Sequence, residues 1–373
     1  MKRIARALKN KEVAPAFSSG TSEVALSDGS MTSIDTAEDA ECRAAWGVSL
    51  EQEWQLVEQL REEVELEAGE LPVEWDDHVL RRFLRARKHN IYKAKVMILD
   101  TLNWRKEANV DTVLTDFHFH EKDQFNKWYP EGFYGVDREG RPIYVQQPGK
   151  MDTDQLWKFT TLERCVRYHL QQQERYWRII APAASVARGR RHEQSLVLID
   201  MDGVGISTLT SEVRNIMGTI MKIDQDYYPE LMWKACLVNV PVSFRVIWSM
   251  VKHFMDARTQ AKIEVLGTNF QEELQRLVAP ENLMACYGGT STAPLGVQPG
   301  PWQDPAILAK LAEQRQQRQQ ESGRPASMTY PPVSQAAGAE GQDDAAAAAA
   351  AAGAAAASAL QGSPAVEAAA LAS

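Results

Sequence analysis

A dense run of cationic side chains is the first feature of this sequence that could do chemistry. Arg81, Arg82, Arg85, Arg87 and Lys88 lie within eight residues. Guanidinium groups offer forked N–H donors and lysine offers a point charge, so the run could recognise a phosphate group. On a helix Arg81, Arg85 and Lys88 share one face, whereas Arg87 points elsewhere. The alternative is a solvated charged helix, the usual outcome for such runs.

Residues 242–255 form a second unusual stretch, because apolar side chains cover nearly every face of the predicted helix. A surface helix should show a single apolar stripe. One interpretation is a fully buried helix; the other is a helix with protein core on one side and lipid on the other. The apolar side chains are Phe244, Val246, Ile247, Trp248, Met250, Val251 and Phe254.

Several catalytic signatures are absent from the sequence. It contains no Walker-type phosphate loop, nucleophile elbow or His-Glu-x-x-His helix. His118, His120 and Glu121 lie close together, but no fourth ligand is in view, which favours a polar loop over a metal site. Two glycines follow the apolar run that ends at Asp200, yet Thr208 occupies the third glycine position of a dinucleotide loop. The sequence therefore predicts neither a metal centre nor an enzyme.

The composition of the chain bears on which classes of protein it could belong to. The chain has 373 residues, 41 Lys and Arg against 50 Asp and Glu, and a net charge of −9, which disfavours a general nucleic-acid binder. Its four cysteines are scattered, which is typical of a reducing compartment. No apolar run is long enough to predict a membrane-spanning helix.

Patterning along the chain predicts four regions. Residues 1–48 are interpreted as a disordered leader. Residues 49–110 show three amphipathic helices, one from Leu50, one capped by Asp76 or Asp77, and one from Ile91 to Arg105. Residues 111–290 alternate strands with helices. Residues 291–373 are interpreted as a mostly disordered Gln- and Ala-rich tail with one helix near 305–321.

The fold class predicted for residues 111–290 is α/β with a mostly parallel sheet. Strands are predicted at 141–145, 195–200, 234–240 and 262–266, and helices between them. One long helix is predicted to carry Leu156, Phe159, Leu162, Val166 and Leu170 on its apolar face. Ser195–Asp200 is nearly all apolar, as in a strand buried on both faces.

An ordered set of short motifs over about Leu50 to Gly289 resembles the CRAL-TRIO lipid-binding family. The nearest branch is similar to the phosphatidylinositol/phosphatidylcholine transfer proteins. Any one motif is weak, but the set in order is highly specific. The motifs are Arg82-Phe-Leu-Arg-Ala-Arg-Lys88, Trp104-Arg-Lys106, Tyr129-Pro130, Asp137-Arg-Glu-Gly-Arg-Pro-Ile-Tyr144, Asp226-Tyr-Tyr-Pro-Glu230, Lys262-Ile-Glu-Val-Leu-Gly267, Glu281-Asn-Leu283 and Tyr287-Gly-Gly289.

The resemblance implies a helical N-terminal lobe and a lobe whose parallel-rich sheet forms the floor of a gated lipid pocket. Such proteins hold one phospholipid and perform no covalent chemistry, so no cofactor beyond the bound phospholipid is expected. The apolar stretch at 242–255 lies where the gate belongs. The gate side chains are Phe244, Ile247, Trp248, Val251 and Phe254.

The resemblance also carries over a site for the phosphatidylinositol head group. Cations and a hydroxyl would bind the phosphate, while carboxylates would bind inositol hydroxyls or orient the cations. Lys262 and Lys88 are the strongest expectations. The full set is Arg87, Lys88, Asp137, Glu230, Thr259 and Lys262.

The second-lipid pocket matches the family less well. Tyr144 and Ser195 stand at matching positions, whereas Phe133 replaces a tyrosine. Further replacements are Gln146 for glutamate, Gln173 for tyrosine, Val197 for threonine and Leu231 for arginine. Since a choline needs aromatic faces or a carboxylate, the second ligand is expected to be weakly bound phosphatidylcholine or another hydrophobic lipid such as a sterol.

The function implied is exchange of phosphatidylinositol for a second lipid, which presents phosphatidylinositol for phosphoinositide synthesis. The expected protein is a cytoplasmic monomer that visits Golgi, endosomal or plasma membranes, with a phosphoinositide kinase as partner and no nucleic acid. The alternative is a lipid-regulated scaffold or sensor that signals to a protein partner without bulk transfer.

Overall fold

The computed structural model describes residues 33–255 and 257–331. Two compact units divide the chain, residues 1–50 and 51–373. In the first unit, helix α1 spans Ser33–Trp46, where the Asp39 carboxylate accepts hydrogen bonds from Arg43 Nε (2.7 Å) and Leu50 N (2.8 Å). The prediction of a disordered leader over 1–48 is therefore wrong for this helix. An i, i+4 ion pair stabilises the helix, and the Asp39 side chain also binds the backbone N–H of Leu50 beyond its end. Residues 1–32 lie outside the described residues.

Three helices form the helical lobe, as the sequence predicts: α2 (Leu50–Ala68), α3 (Asp77–Ala86) and α4 (Ile91–Glu107). Asp76 caps α3 by accepting the Val79 N–H, and Asn90 caps α4 by accepting the Lys93 N–H. Their buried faces meet in one cluster that contains Val57, Leu60, Val64, Val79, Leu80, Phe83, Leu84, Ala94, Met97 and Ile98.

Five strands form one sheet in the order β1-β2-β3-β4-β5. They span Glu131–Val136, Pro142–Gln146, Ser195–Asp200, Met232–Val238 and Ile263–Gly267. The last four are mutually parallel, which confirms the predicted topology, and β1 pairs antiparallel with β2. Strand β1 was not predicted, because its two glycines obscure the strand pattern.

The segment predicted as one long helix is divided. After α5 (Val113–Asp116) and α6 (Lys122–Trp128), helix α7 spans only Thr153–Leu156. The next helix, α8 (Leu162–Arg175), begins where the Thr161 hydroxyl accepts the Arg164 N–H. It continues through a π turn at Tyr176–Ile180 into α9 (Ala181–Arg188). Leu156 and Phe159 are therefore not on the same helix as Leu162, because a new cap at Thr161 starts the second helix.

The two faces of the sheet have different cover. One face, with Ile143, Leu196, Leu198, Cys236 and Val238, packs against α13 (Gln271–Leu277) and residues 283–295. The opposite face packs against α10 (Ser211–Tyr227) and α11 (Phe244–Val251), and α12 (Ala257–Ala261) follows α11 in the chain. The second face is thus the floor beneath the predicted gate.

The segment after Gly289, which the sequence predicts to be a mostly disordered tail with one helix, packs onto both lobes as far as residue 331. Helix α14 spans Pro305–Ser322, close to the predicted helix at 305–321, and Trp302 before it is fully buried. Arg324 Nη1 lies 2.7 Å from Glu65 Oε1, and Thr329 N donates to Asp111 O. Buried Trp302, Leu308, Leu311 and Met328 give this segment the apolar anchors that the Ala-rich sequence further on lacks. Residues 332–373 lie outside the described residues.

Candidate functional site

The predicted gate is a short helix over the floor of the sheet. Ile247 on α11 is buried among side chains that include Ala235 and Leu237, whereas Val246 is 48% exposed. Phe244 and Trp248 stack with centroids 5.9 Å apart. The helix ends at Val251, and a 3₁₀ turn over Lys252–Phe254 follows. It is shorter than the predicted stretch, and it presents apolar side chains both inward and outward. Its gating role remains a prediction.

One carboxylate, from a residue that precedes the gate in the chain, bridges two cations from residues that follow the gate. Glu230 Oε2 lies 2.9 Å from Lys262 Nζ, and Oε1 lies 3.0 Å from Arg258 Nε. Lys262 Nζ also donates to Met232 O at 2.8 Å. We call Glu230, Arg258 and Lys262 the Glu230 cluster. Its side chains are 11%, 37% and 18% exposed, so it lies near the surface, and an anion could reach it.

Local geometry explains how the Glu230 cluster forms. Glu230 follows the Tyr227-Tyr-Pro segment with φ of +60°, a left-handed backbone that turns its side chain toward α12. Helix α12 carries Arg258 and Thr259, and the Lys262 N–H donates to Thr259 O where β5 begins. Two of the expected head-group residues, Glu230 and Lys262, are therefore in contact, and Thr259 lies one turn before Lys262. Arg258 was not among the predicted head-group residues, although its spacing of four residues from Lys262 was a usable signal.

The basic run on α3 separates into two parts. Arg81 and Arg85 turn inward to Glu53, which is fully buried; Arg85 Nε lies 2.6 Å and His89 Nε2 lies 2.8 Å from Glu53 Oε1. We call these four residues the Glu53 cluster. Burial acts to raise the pKa of Glu53, but the hydrogen bonds from His89 and Arg85 hold it far below its usual range.

Lys88 and Arg87 lie beyond the end of that helix. Lys88 has a φ of +52°, so it does not continue the face of Arg81 and Arg85, and that expectation is wrong because α3 ends at Ala86. Arg87 lines an open groove of about 720 Å³ together with Trp104, Asp226 and Tyr227, among others. The groove is bounded by α4 and by the end of α10, three residues before Glu230.

Asp137 is used by its own hairpin. It is 4% exposed, and Oδ1 accepts the N–H groups of Glu139 (2.9 Å) and Arg141 (2.8 Å). Arg141 Nη1 donates to Oδ2 at 2.9 Å. These bonds fix the turn between β1 and β2. The head-group role expected for Asp137 stays a prediction, and its hydrogen bonds in this structure are those of a turn.

Phe133 and Tyr144, expected in the second-lipid pocket, form a cross-strand pair on the floor of the sheet. Their ring centroids are 4.8 Å apart, and Phe133 also stacks on Tyr176 at 5.2 Å. Trp302 reaches Phe133 from the C-terminal segment, with ring centroids 6.2 Å apart. The third residue, Ser195, is buried at the start of β3 and donates its hydroxyl to Leu231 O.

A buried carboxylate that the sequence analysis overlooked lies in the same region. Glu131 is the cross-strand partner of Gln146, whose Nε2 lies 3.3 Å from Glu131 Oε2. The Tyr144 hydroxyl also hydrogen-bonds to Glu131, and burial raises the pKa of this carboxyl. The resemblance predicts a glutamate at the position of Gln146, and in this structure a carboxylate lies on the neighbouring strand instead. Recognition of β1 and its register would have revealed it.

Glu131 also lines a small cavity of about 20 Å³. The Tyr129 and His169 side chains share its wall with apolar residues that include Ile216 and Ile220. His169 Nε2 lies 2.7 Å from Asp224 Oδ1; burial acts to lower the pKa of this imidazole, but Asp224 raises it above its usual value. The interior thus combines a carboxyl, tyrosines and an apolar wall.

Residues 33–255 and 257–331 contain neither a metal-ligand cluster nor a membrane-spanning helix. No group of three or more His, Cys, Asp or Glu there could hold a metal ion. Glu121, near His118 and His120, pairs with Arg164 at 2.5 Å. No helix of the same residues is both long and apolar enough to cross a membrane.

Known proteins resemble this chain in sequence and in fold. The model of the CRAL/TRIO domain matches residues 126–289. The phosphatidylinositol/phosphatidylcholine transfer protein SFH11 of Arabidopsis thaliana is 39% identical over 251 residues, which are 66% of this chain and 67% of that protein. SFH7 of the same plant is 38% identical over 254 residues, 66% of this chain and 46% of its own length. Most of the first relatives are similarly longer, and the match spans less than half of each.

Two further matches concern a fungal relative and a fold. The SEC14 cytosolic factor of Yarrowia lipolytica is 38% identical over 236 residues, 62% of this chain and 48% of that protein. A structure titled "Crystal structure of Sfh5" superimposes with a TM-score of 0.53 at 21% identity, covering 72% of this chain and 98% of that one. That likeness shows the fold: a helical N-terminal region followed by a five-stranded, mostly parallel sheet. The chain belongs to the CRAL/TRIO family, within the group of relatives named phosphatidylinositol/phosphatidylcholine transfer proteins.

Proposed function

We propose that this protein binds phosphatidylinositol and exchanges it for a second lipid at membrane surfaces, thereby presenting phosphatidylinositol to phosphoinositide kinases. The observation that carries the proposal is the Glu230 cluster, which holds two cations at the surface beside the apolar gate. The head-group phosphate would bind Lys262 and Arg258, and the acyl chains would enter beneath α11. The names of the relatives describe the same two lipids.

The energetics of exchange favour such a gate. Acyl chains are as apolar in a protein cavity as in a bilayer, so net transfer is close to neutral and the barrier decides the rate. Val242, which is fully exposed, lies just before α11, and Val246, which is half-exposed, lies on α11. A bilayer would cover these side chains and favour outward movement of the gate. The protein would work in the cytosol and visit membranes transiently, in accord with the relative named a cytosolic factor.

For the second lipid, we propose a ligand with an ammonium head group, such as phosphatidylcholine. Glu131 supplies a carboxylate, and Tyr144 and Tyr129 supply aromatic rings beside it. Burial raises the pKa of Glu131, although His169 acts to lower it, and an arriving ammonium would favour the ionised form further. This restores the carboxylate that the replacement at Gln146 removes.

Transfer between vesicles tests the proposed function. Donor vesicles carry labelled phosphatidylinositol or labelled phosphatidylcholine, and acceptor vesicles carry neither label. We expect the full chain to move both lipids, Lys262→Ala to lose phosphatidylinositol transfer, and Glu131→Gln to lose phosphatidylcholine transfer. Movement of neither lipid by the wild-type chain would contradict the proposal. Equal loss of both lipids in each variant would contradict the assignment of two separate sites.

A further inference from the structure

We propose that Glu230 acts as an internal counter-ion that occupies the phosphate subsite when no lipid is bound, and that Arg258 is the second cation of that subsite. The inference rests on the proposed function and deepens it. In the resemblance, Glu230 binds inositol hydroxyls or orients cations. In this structure each Glu230 carboxylate oxygen meets one cation, which is an arrangement that two phosphate oxygens could also make.

The geometry of the Glu230 cluster fits an exchangeable anion. A carboxylate and a phosphate both present oxygen pairs to cationic donors, so the same two cations serve either group. Arg258 offers a guanidinium fork and Lys262 a compact ammonium, the pair of donors best suited to a phosphate diester. Lys262 keeps its bond to Met232 O, which holds the ammonium in place while the anion changes.

Solvent exposure distinguishes the ion pairs of Glu230 from ion pairs that are fully buried. The Arg258 side chain is 37% exposed, so solvent weakens its attraction for Glu230 and lowers the cost of separating them. Displaced Glu230 can be hydrated at the surface. Exchange of one anion for another leaves both cations neutralised, and this lowers the barrier for head-group entry and release.

Arg258 also links the subsite to the gate. It lies on α12, whose Gln260 Nε2 donates to Lys252 O and Met255 O at the end of the gate segment. Lys262, by contrast, lies directly before β5, and its carbonyl oxygen accepts the Ala235 N–H of β4 at 3.0 Å. A phosphate that draws Arg258 away from Glu230 therefore acts on the segment that follows the gate.

The test uses Glu230→Gln, which removes the charge and keeps the shape. If Glu230 competes with phosphate, this variant binds phosphatidylinositol about three- to tenfold more tightly and releases it more slowly. If Glu230 is a ligand for inositol hydroxyls, the variant binds more weakly. Arg258→Gln should weaken phosphatidylinositol binding about tenfold and leave phosphatidylcholine binding unchanged.

The matched control is Glu264→Gln, which breaks a similar Lys–Glu pair on the same sheet, with Lys234 Nζ 2.8 Å from Glu264 Oε2. It should leave both affinities unchanged. Affinity is read from retention of labelled lipid by the full chain after incubation with mixed vesicles. Loss of binding in Lys262→Ala without a gain in Glu230→Gln overturns this inference alone. Unchanged phosphatidylinositol binding in Lys262→Ala overturns the proposed head-group site itself.

Discussion

The Glu53 cluster and the Glu230 cluster have the same chemistry, but we assign a structural role to the first and a binding role to the second. In each, a single carboxylate lies between basic side chains. Glu53 is fully buried in the helical lobe beside Arg81, which is 5% exposed, whereas Glu230 is 11% exposed and its partner Arg258 is 37% exposed. Removing a partner from a buried cluster strands a charge in a medium of low dielectric, while a surface pair separates at small cost. Burial therefore distinguishes a scaffold from a subsite that can exchange its anion.

The largest expected effect is in the scaffold. Glu53→Gln should lower the free energy of unfolding by about 3–5 kcal/mol, because buried guanidinium charges then face a neutral amide. Glu230→Gln should lower it by less than about 1 kcal/mol. Urea unfolding of both variants measures the difference. Equal losses would remove the distinction between the two clusters.

A second buried carboxylate extends the comparison to pH. Burial acts to raise the pKa of Glu174, but Arg105 and Arg178 lower it to about 2. Because the folded-state pKa is depressed, this stabilisation is present above the unfolded value near 4.5 and is lost as pH falls toward 2. Thermal unfolding of the wild type should therefore show a falling midpoint below pH 4.5. In Glu174→Gln the overall stability is lower and this acid-dependent decline is smaller; an identical decline would contradict the assignment.

The interior carboxyl on β1 should respond in the opposite direction. Since burial raises the pKa of Glu131, the proton must leave before the group can pair with an ammonium. Binding of phosphatidylcholine should strengthen as pH rises through that pKa, and Glu131→Gln should abolish the dependence and weaken binding about tenfold. Binding of phosphatidylcholine measured over a series of pH values checks this. Phosphatidylinositol binding by the same variant is the control and should not change.

The smallest effect belongs to a fully surface ion pair. Arg276 is 62% exposed and pairs with Glu272 and Glu273 on α13. Arg276→Gln should leave both the free energy of unfolding and lipid binding unaltered. Urea unfolding and lipid retention measure both. A clear loss of stability would show that exposure alone does not distinguish structural ion pairs from exchangeable ones.

Much of the fold was predictable because its signals are local. The apolar period of α2–α4 and the caps at Asp76 and Asn90 depend on neighbours in sequence. The near-continuous apolar run of β3 likewise predicted a buried strand. Strand β1 was missed because two glycines weaken its pattern, and α14 was predicted without the packing of Trp302 that fixes it.

The site was predictable in type but not in arrangement. Motif order identified Glu230 and Lys262, which the structure brings to 2.9 Å. The inward turn of Arg81 and Arg85 depends on Glu53, 28 residues before Arg81, and no local pattern signals that partner. Glu131 depends on strand register, a long-range property. Contacts between distant residues decide which of several similar charges serve the scaffold.

The most direct test of the account identifies the lipids that the protein carries. The full chain, Lys262→Ala and Glu264→Gln are incubated with vesicles of mixed lipids and re-isolated, and the bound lipids are measured by mass spectrometry. We predict phosphatidylinositol in the wild type and in Glu264→Gln, its loss from Lys262→Ala, and an ammonium-headed lipid in all three. Absence of phosphatidylinositol from the wild type, or its full retention by Lys262→Ala, would contradict the proposed head-group site.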